Sequence, residues 1–216
     1  ILPDGLEVIA VGERGDVRDA LVAGDSNFDT LVEGARVGSS SSRRRSQLKL
    51  VRPDLEIISI RGNVGTRLEK LKNGECDALI LACAGLDRLG FEDHISQRLS
   101  IDTSLPAPGQ GALAVEYQSR REDIADLLSK IIVESVVLTV SAERALTRAL
   151  EGDCTTPLGA LSVVENGGIR LSALLADSDG KRILRVSEVG DDPLALGDSV
   201  ASALIKLGAA DLIGRA

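Results

Sequence analysis

The stretch LEIISIRGNVGTRLEKLKNGECDALILA (55–82) reads as strand, helix, strand. LEIISI (55–60) and DALILA (77–82) are apolar runs of strand length. Between them, VGTRLEKLKNG (64–74) spaces its apolar residues at helical intervals and ends on Gly74, a residue suited to the C′ position. Such a succession places two strands in one sheet with a helix across its face. Working outward, LEVIAV (6–11) is a further strand, RRRSQLKLV (43–51) a helix, and LAVEY (113–117) a strand followed by a polar helix from about Arg121 to Ile131. The predicted architecture is α/β, with a parallel or mixed sheet covered on both faces and ligands at the carboxyl ends of strands.

Near residues 131–134 the pattern changes. ESVVLTVSAERALTRALE (134–151) is an amphipathic helix without Gly or Pro. LGALSVVE, IRLSALLA and RILRVSEV follow as strands, joined by the hairpin signals Asn166-Gly167-Gly168 and Asp179-Gly180, and a last helix runs from Pro193 to about Leu207. This second unit is a small α+β domain, an antiparallel sheet with helices on one face.

The 216 residues are 44% hydrophobic and 27% charged, enough for a sizeable core. Tyr117, Phe28 and Phe91 are the only aromatic residues, so no base-stacking platform can be built, and a net charge of −8 speaks against binding a phosphate backbone. No nucleic-acid partner is therefore expected. No apolar run reaches the length of a membrane span, so no membrane partner is expected either. Cys76, Cys83 and Cys154 lack CxxC spacing, which excludes a disulfide framework or zinc site and suits a reducing cytosol. Ile1-Leu2-Pro3 opens the chain without Met, the expected mark of a processed or truncated product.

Two turns could grip anions. In Val37-Gly38-Ser39-Ser40-Ser41-Ser42-Arg43-Arg44-Arg45, backbone N–H groups, hydroxyls and a positive helix end converge. Arginines in a first helical turn oppose the helix dipole unless an anion sits there, and guanidinium forks hold carboxylate or phosphate in bidentate fashion. The plainer alternative is a serine turn with solvated arginines. Arg61-Gly62-Asn63-Val64-Gly65-Thr66-Arg67 also joins a strand to a helix but lacks the Lys-Ser/Thr ending of a P-loop. Arg88 reads as a partner of Asp87 or Glu92. Pro106-Ala107-Pro108-Gly109-Gln110-Gly111-Ala112 reads as a hinge between lobes or as a rigid turn. Cys76 and Cys83 flank an apolar strand and read as buried, whereas Cys154, in a Gly- and Pro-marked loop, is either an attachment point or nucleophile or an incidental thiol. The lone His94 reads as a surface residue and can build neither a catalytic triad nor a multi-His metal site.

Taken together, GSSSSRRRSQL, IRGNVGTRLEKL, LACAGLDRLG, LPAPGQGALAVE and ERALTRALEGDCTTPLG resemble, in order and spacing, porphobilinogen deaminase, also called hydroxymethylbilane synthase. The resemblance covers essentially the whole chain. It implies two lobes like those of periplasmic binding proteins, with the active site between them, and a third domain bearing a cysteine loop. It further implies a transferase of tetrapyrrole (haem or chlorophyll) biosynthesis that condenses four porphobilinogen molecules head to tail, releasing ammonia, to give hydroxymethylbilane. Cys154, with its Cys-x-x-Pro spacing, matches the residue that carries a dipyrromethane cofactor through a thioether. Asp153 stands where a small residue is usual. Ser39, Ser40, Ser41, Arg43, Arg44, Arg61, Thr66, Arg67 and Arg88 match positions that bind cofactor and substrate carboxylates, and Gln110 and Gly111 match the cleft and crossover.

The family's His-Ser-x-Lys-Asp motif, which supplies its catalytic carboxylate, precedes the Leu-Pro-x-Gly-Leu seen at 2–6, so no catalytic residue is identified within the chain. On this reading residues 1–12 and 112–130 are a remnant of domain one, 13–111 form domain two and 131–216 form domain three. The chain alone is expected to be inactive. The alternative is a degenerate, cofactor-free anion-binding module of the same fold. The partners implied are porphobilinogen and the growing polypyrrole, with the monomer usual in the family and association through the incomplete first domain as the other outcome. The implied compartment is the cytoplasm, or a plastid in a photosynthetic eukaryote.

Overall fold

The computed structural model describes residues 3–153, 155–177 and 180–213, and three separate sheets organise them. The largest contains β2 (Asp19–Val22), β3 (Arg36–Gly38), β4 (Glu56–Ile58), β5 (Ala78–Ala82) and β6 (Gln97–Arg98) in the order β4-β3-β5-β2-β6. β3 runs parallel to β4 and β5, while β2 is antiparallel to β5 and β6, so the sheet is mixed. Alternate residues of its central strands feed two cores, as the period-2 geometry of strands requires. Leu21, Val37 and Ile80 pack on one face with Phe28, Leu48 and Leu55. Ala20, Leu79 and Leu81 pack on the other with Ile60, Cys83, Leu86 and the half-buried Leu68 and Leu71.

The helices follow the strands. α1 (Ser42–Val51) leaves β3 and α2 (Val64–Lys72) leaves β4. α2 ends as its sequence suggests: Gly74 has φ +75°, its N–H donates to the Leu71 carbonyl, and that of Glu75 donates to Lys70, a Schellman closure. α3 (Cys83–Arg88) follows β5 directly. β2, β3, β6 and α3 were not evident from the sequence, because strands of two to four residues show no measurable alternation. β4 is also shorter than 55–60: after Ile58 the chain leaves the sheet, and the Ile60 carbonyl instead accepts from Ser40.

β1 (Leu6–Val11) and β7 (Leu113–Gln118) form an antiparallel pair, with Leu6 opposite Gln118 and Val11 opposite Leu113. α4 (Glu122–Ser129) follows. The remainder is the antiparallel meander of β8 (Leu158–Glu165), β9 (Gly168–Ala176) and β10 (Ile183–Gly190), with α5 (Glu134–Ala149) and α6 (Pro193–Lys206) on one face. Asn166 and Gly167 both have positive φ, +49° and +83°, as a tight two-residue hairpin demands. Asp179 of the second hairpin signal lies outside the described residues. Leu146, Leu171, Leu175, Val200 and Leu204 fill the core between helices and sheet. The helices approach so closely at Gly197 that a Cβ there would lie 2.5 Å from Ala145 Cβ. Among the described residues no helix is long and apolar enough to cross a membrane.

Candidate functional site

Because β3 and β4 are parallel neighbours, each followed by a helix, the amino ends of α1 and α2 emerge at one edge of the sheet. Backbone N–H groups and the positive helix ends gather there, the arrangement expected for anions in open α/β sheets.

At the first turn, Ser41 caps α1 by accepting from the Arg44 N–H. The charges behind it face inward. Asp19, the first residue of β2, is fully buried, and both guanidiniums close on it. Arg43 Nη1 donates to Asp19 Oδ2 at 2.8 Å and Arg44 Nη2 donates to Oδ1 at 2.7 Å. Arg43 Nη1 also reaches the Leu105 carbonyl at 2.6 Å, and Arg44 Nη1 the Ile80 carbonyl at 3.2 Å. Burial acts to raise the Asp19 carboxyl, but Arg44 and Arg43 outweigh it and hold the group well below the usual carboxylate range. The anion that the helix-start arginines call for is thus supplied by the chain itself. Two cations share one anion, so the cluster keeps a net positive charge. Arg45 points outward and is exposed.

The serines divide the remaining work. Ser39 is buried, its N–H donating to the Ile58 carbonyl. The exposed Ser40 donates to the Ile60 carbonyl at 2.8 Å. Ser42 Oγ donates to the Thr155 carbonyl at 2.7 Å, tying the loop after α5 to the start of α1. Cys154 lies outside the described residues. Beside it, Asp153 Oδ1 accepts from the N–H groups of Thr155 and Thr156 at 2.8 and 3.1 Å. Cys76 and Cys83 are buried, and His94 is exposed with its ring tilted against Phe91.

In the second turn Asn63 caps α2 by accepting from the Thr66 N–H at 2.9 Å. The Thr66 side chain packs over Gly62, where a Cβ would come within 2.9 Å of it. Arg67 Nε donates to the Gly62 carbonyl at 2.7 Å, and no carboxylate pairs with it among the described residues. Burial, then the charge of Arg44, lowers the Arg67 guanidinium below its ordinary value. Arg61 is exposed and makes no hydrogen bond or ion pair among the described residues.

Arg88 does not pair with Asp87 or Glu92. Asp87 is taken by Arg98 at 2.6 Å, and Arg88 Nη2 instead donates to the Gly111 carbonyl at 2.7 Å. That carbonyl also accepts from the Gly15 N–H, so the two chain segments joining the sheets pass side by side. Gln110 links this crossing to the charged cluster, its Nε2 donating to the Val17 carbonyl at 2.7 Å and to Asp19 Oδ1 at 3.0 Å.

Sequence reasoning missed Asp19, Arg14 and Glu143. The available signal for Asp19 was a lone acid opening the apolar run DALV, since a charge there must be paired. Among the described residues no group of three His, Cys, Asp or Glu side chains could hold a metal ion. The donor set does suit a flat polycarboxylate: two helix amino ends, exposed hydroxyl-bearing residues and the unpaired cations Arg61 and Arg67, around a single carboxylate that is already engaged.

Residues 1–126 match the family model described as porphobilinogen deaminase, dipyromethane cofactor binding domain, and residues 137–206 match the porphobilinogen deaminase C-terminal domain. The porphobilinogen deaminase of Brevibacillus brevis is 47% identical over 214 residues, covering 98% of this chain and 69% of the relative. Those of Acidithiobacillus ferrooxidans, 47% identical over 98% of this chain and 69% of the relative, and Bacillus pumilus, 46% identical over 99% and 70%, are similar. With both of the family's domain models matched in sequence order and a cationic edge suited to its cofactor, the chain belongs to the porphobilinogen deaminase family.

Proposed function

We propose that the chain serves the family's transferase reaction in tetrapyrrole biosynthesis. Four porphobilinogen molecules condense head to tail, losing ammonia each time, into hydroxymethylbilane on a dipyrromethane held by a thioether to Cys154. The observation that carries this reading is the cationic edge of the mixed sheet. Within the stretch matching the cofactor-binding domain, Arg43, Arg44, Arg61 and Arg67 stand at two helix amino ends, and among the described residues the one carboxylate paired with them, Asp19, is taken by Arg43 and Arg44. Each pyrrole of substrate and cofactor bears two carboxylates, so a site with surplus guanidinium is what binding requires.

When bound, dipyrromethane supplies the nucleophilic pyrrole carbon. The chain's own residues bind and orient. Arg61 and Arg67 take carboxylates directly, while Asp19 holds the forks of Arg43 and Arg44 in the interior behind the turn, where their surplus charge adds to the positive field at the start of α1. Ser39, Ser40 and Ser41 with the first N–H groups of α1, and Thr66 at α2, receive further oxygens. Arg88, Gln110 and Gly111 belong to a crossover on which lobes akin to those of periplasmic binding proteins would hinge. Residues 13–111 form one such lobe, 1–12 and 112–130 contribute to the other, and 131–216 form the third domain; the three separate sheets support this division. A cytoplasmic monomer is the form proposed.

The test is the protein as its gene encodes it, produced in cells that make porphobilinogen. Intact mass should show a covalent dipyrromethane, absent from Cys154→Ser and retained in Cys76→Ser and Cys83→Ser, together with porphobilinogen consumption. Active protein with unmodified Cys154 would overturn the reading.

A further inference from the structure

α5 buries one face and leaves another open. Ala142, Leu146 and Leu150 pack into the core, whereas Ser141, Arg144 and Arg148 lie along the opposite stripe at helical spacing. This stripe lines a cleft of about 780 Å³ together with Pro108 of the crossover, Leu194 at the start of α6, and Glu151 and Gly152 of the loop after α5. Its volume lies within the range of small-molecule sites.

Two arginines and one carboxylate, Glu151, line the cleft, which leaves it a surplus of positive charge. Arg144 and Arg148 are four residues apart on one helical face, where like charges destabilise a helix. The Arg144 guanidinium reaches only the Val8 carbonyl, at 3.5 Å, and the Arg148 side chain makes no hydrogen bond or ion pair among the described residues. Leu194 keeps about half its surface in water, at 49%. Two guanidiniums together with the apolar lining of Pro108, Ala145 and Leu194 suit an aromatic or heteroaromatic ring bearing carboxylates. The cleft also includes Gly152, two residues before Cys154 in sequence.

We infer that this cleft is a second polycarboxylate site, in which Arg144 and Arg148 receive pyrrole carboxylates of the lengthening chain. The inference rests on the functional reading above for the identity of its occupant. It answers a requirement of that reading: each added pyrrole brings two carboxylates, and the α1–α2 edge offers only a few unpaired cations. Arg148 is the principal contact because its side chain has no partner among the described residues, and Arg144 is the second.

The experiment is a fluorescence titration of the purified cofactor-bearing protein with uroporphyrin I, a tetrapyrrole octacarboxylate, alongside intact-mass analysis after a brief pulse of porphobilinogen. Arg148→Ala should weaken porphyrin binding about fivefold, and the Arg144→Ala/Arg148→Ala double variant more than either alone, the size expected for part-exposed charge contacts. Arg148→Lys should recover part of the loss. In the pulse, the variants should carry protein species with one added pyrrole as abundantly as wild type but several-fold fewer of the longest. Arg185→Ala, which removes an exposed guanidinium from β10, should match wild type in both measurements. Unchanged porphyrin affinity and an unchanged distribution in the double variant would overturn the inference. Wild-type protein without any covalent pyrrole would instead overturn the functional reading, and the porphyrin titration still tests the cleft by itself.

Discussion

Glu143 of α5 and Arg14, just after β1, form a two-pronged ion pair at 2.8 and 2.9 Å in which the carboxylate is completely buried. The remaining capacity of Glu143 is also used: Oε2 accepts from the Gly109 N–H at 2.6 Å and Oε1 from the Ser162 N–H at 2.7 Å. Arg14 Nε meanwhile donates to the Gln110 carbonyl at 2.9 Å. One carboxylate thus joins the crossover, the segment after β1 and the C-terminal sheet. Removing one partner of such a pair leaves a buried charge uncompensated, at a cost of about 3–5 kcal/mol. Arg14→Ala is therefore expected to lose most of that range in urea unfolding. Glu143→Gln keeps the shape but only one acceptor oxygen, so one of the Gly109 and Ser162 N–H groups loses its partner; it leaves no unpaired carboxylate in the interior and should cost less. Equal losses in the two variants would show that charge is not what holds the junction.

Asp19 is the anion for two guanidiniums, so its replacement should cost more than that of any surface acid. Asp19→Asn leaves Arg43 and Arg44 without a counter-charge in the interior and is expected to lower stability by about 3–5 kcal/mol. Arg45→Ala, one residue along the same helix but exposed, should stay within about 0.5 kcal/mol. Urea denaturation of the three proteins checks this, and a loss under 1 kcal/mol for Asp19→Asn would contradict the cluster.

These residues also show what the sequence could and could not disclose. The strand–helix–strand run at 55–82 and the hairpins from 158 onward are legible because periodicity and turn chemistry are local signals. The anion needed by Arg43 and Arg44 was legible as a requirement, from the helix dipole, but its source was not. Asp19 lies 24 residues before Arg43 and meets it only because β2 enters the sheet next to β5, a placement that four residues of sequence do not encode. Arg14 and Glu143, 129 residues apart, are harder still. Ion-pair partners at such separations are fixed by topology, and no local pattern marks them.

Arg67 offers the cleanest test of ligand binding at the α1–α2 edge, since it has no carboxylate partner to lose among the described residues. Arg67→Ala should leave stability nearly unchanged while weakening retention of dipyrromethane or raising KM for porphobilinogen about thirtyfold or more, in keeping with about 2 kcal/mol or more for an ionic contact removed from one side. Arg67→Lys keeps charge but not the fork, so recovery should be partial. Unaltered KM and full cofactor content in Arg67→Ala would remove this residue from the site.

Acid should weaken the segment leading into β2. The Arg18 side chain, hydrogen-bonded to Asp16, leads the interactions that lower the Asp16 carboxyl from 3.8 to about 2, with Arg98 adding to it. The unfolded state then binds more protons than the folded state as pH falls through this window. The stabilisation is complete above about pH 4 and is lost on approaching pH 2, on the order of 1 kcal/mol once solvent screening of this part-exposed pair is counted. Urea unfolding at pH 5 and pH 3 should show a steeper decline for wild type than for Asp16→Asn. Parallel declines would exclude Asp16 as a contributor.

Gly109 and Gly111 flank Gln110 in the crossover and separate two physical reasons for glycine. Both have positive φ, +74° and +86°, which costs an L-residue about 1 kcal/mol. Around Gly109, however, a Cβ would meet nothing within 4 Å. At Gly111 it would lie 2.6 Å from the Gly15 carbonyl oxygen, a backbone atom that cannot turn aside like a flexible side chain. The same crossing is held by the Gly15 N–H donating to the Gly111 carbonyl at 3.0 Å and by Arg88 donating to that carbonyl. Relieving the clash must therefore separate the two segments and break these bonds. Gly109→Ala should cost about 1 kcal/mol, and Gly111→Ala about 1–3 kcal/mol more, the range for forced overpacking. Hydrogen exchange at the Gly15 amide should accelerate in Gly111→Ala and remain near wild type in Gly109→Ala. Equal stability losses with an unchanged Gly15 amide would mean that φ alone accounts for both glycines and that the segments do not touch as closely as 2.6 Å implies.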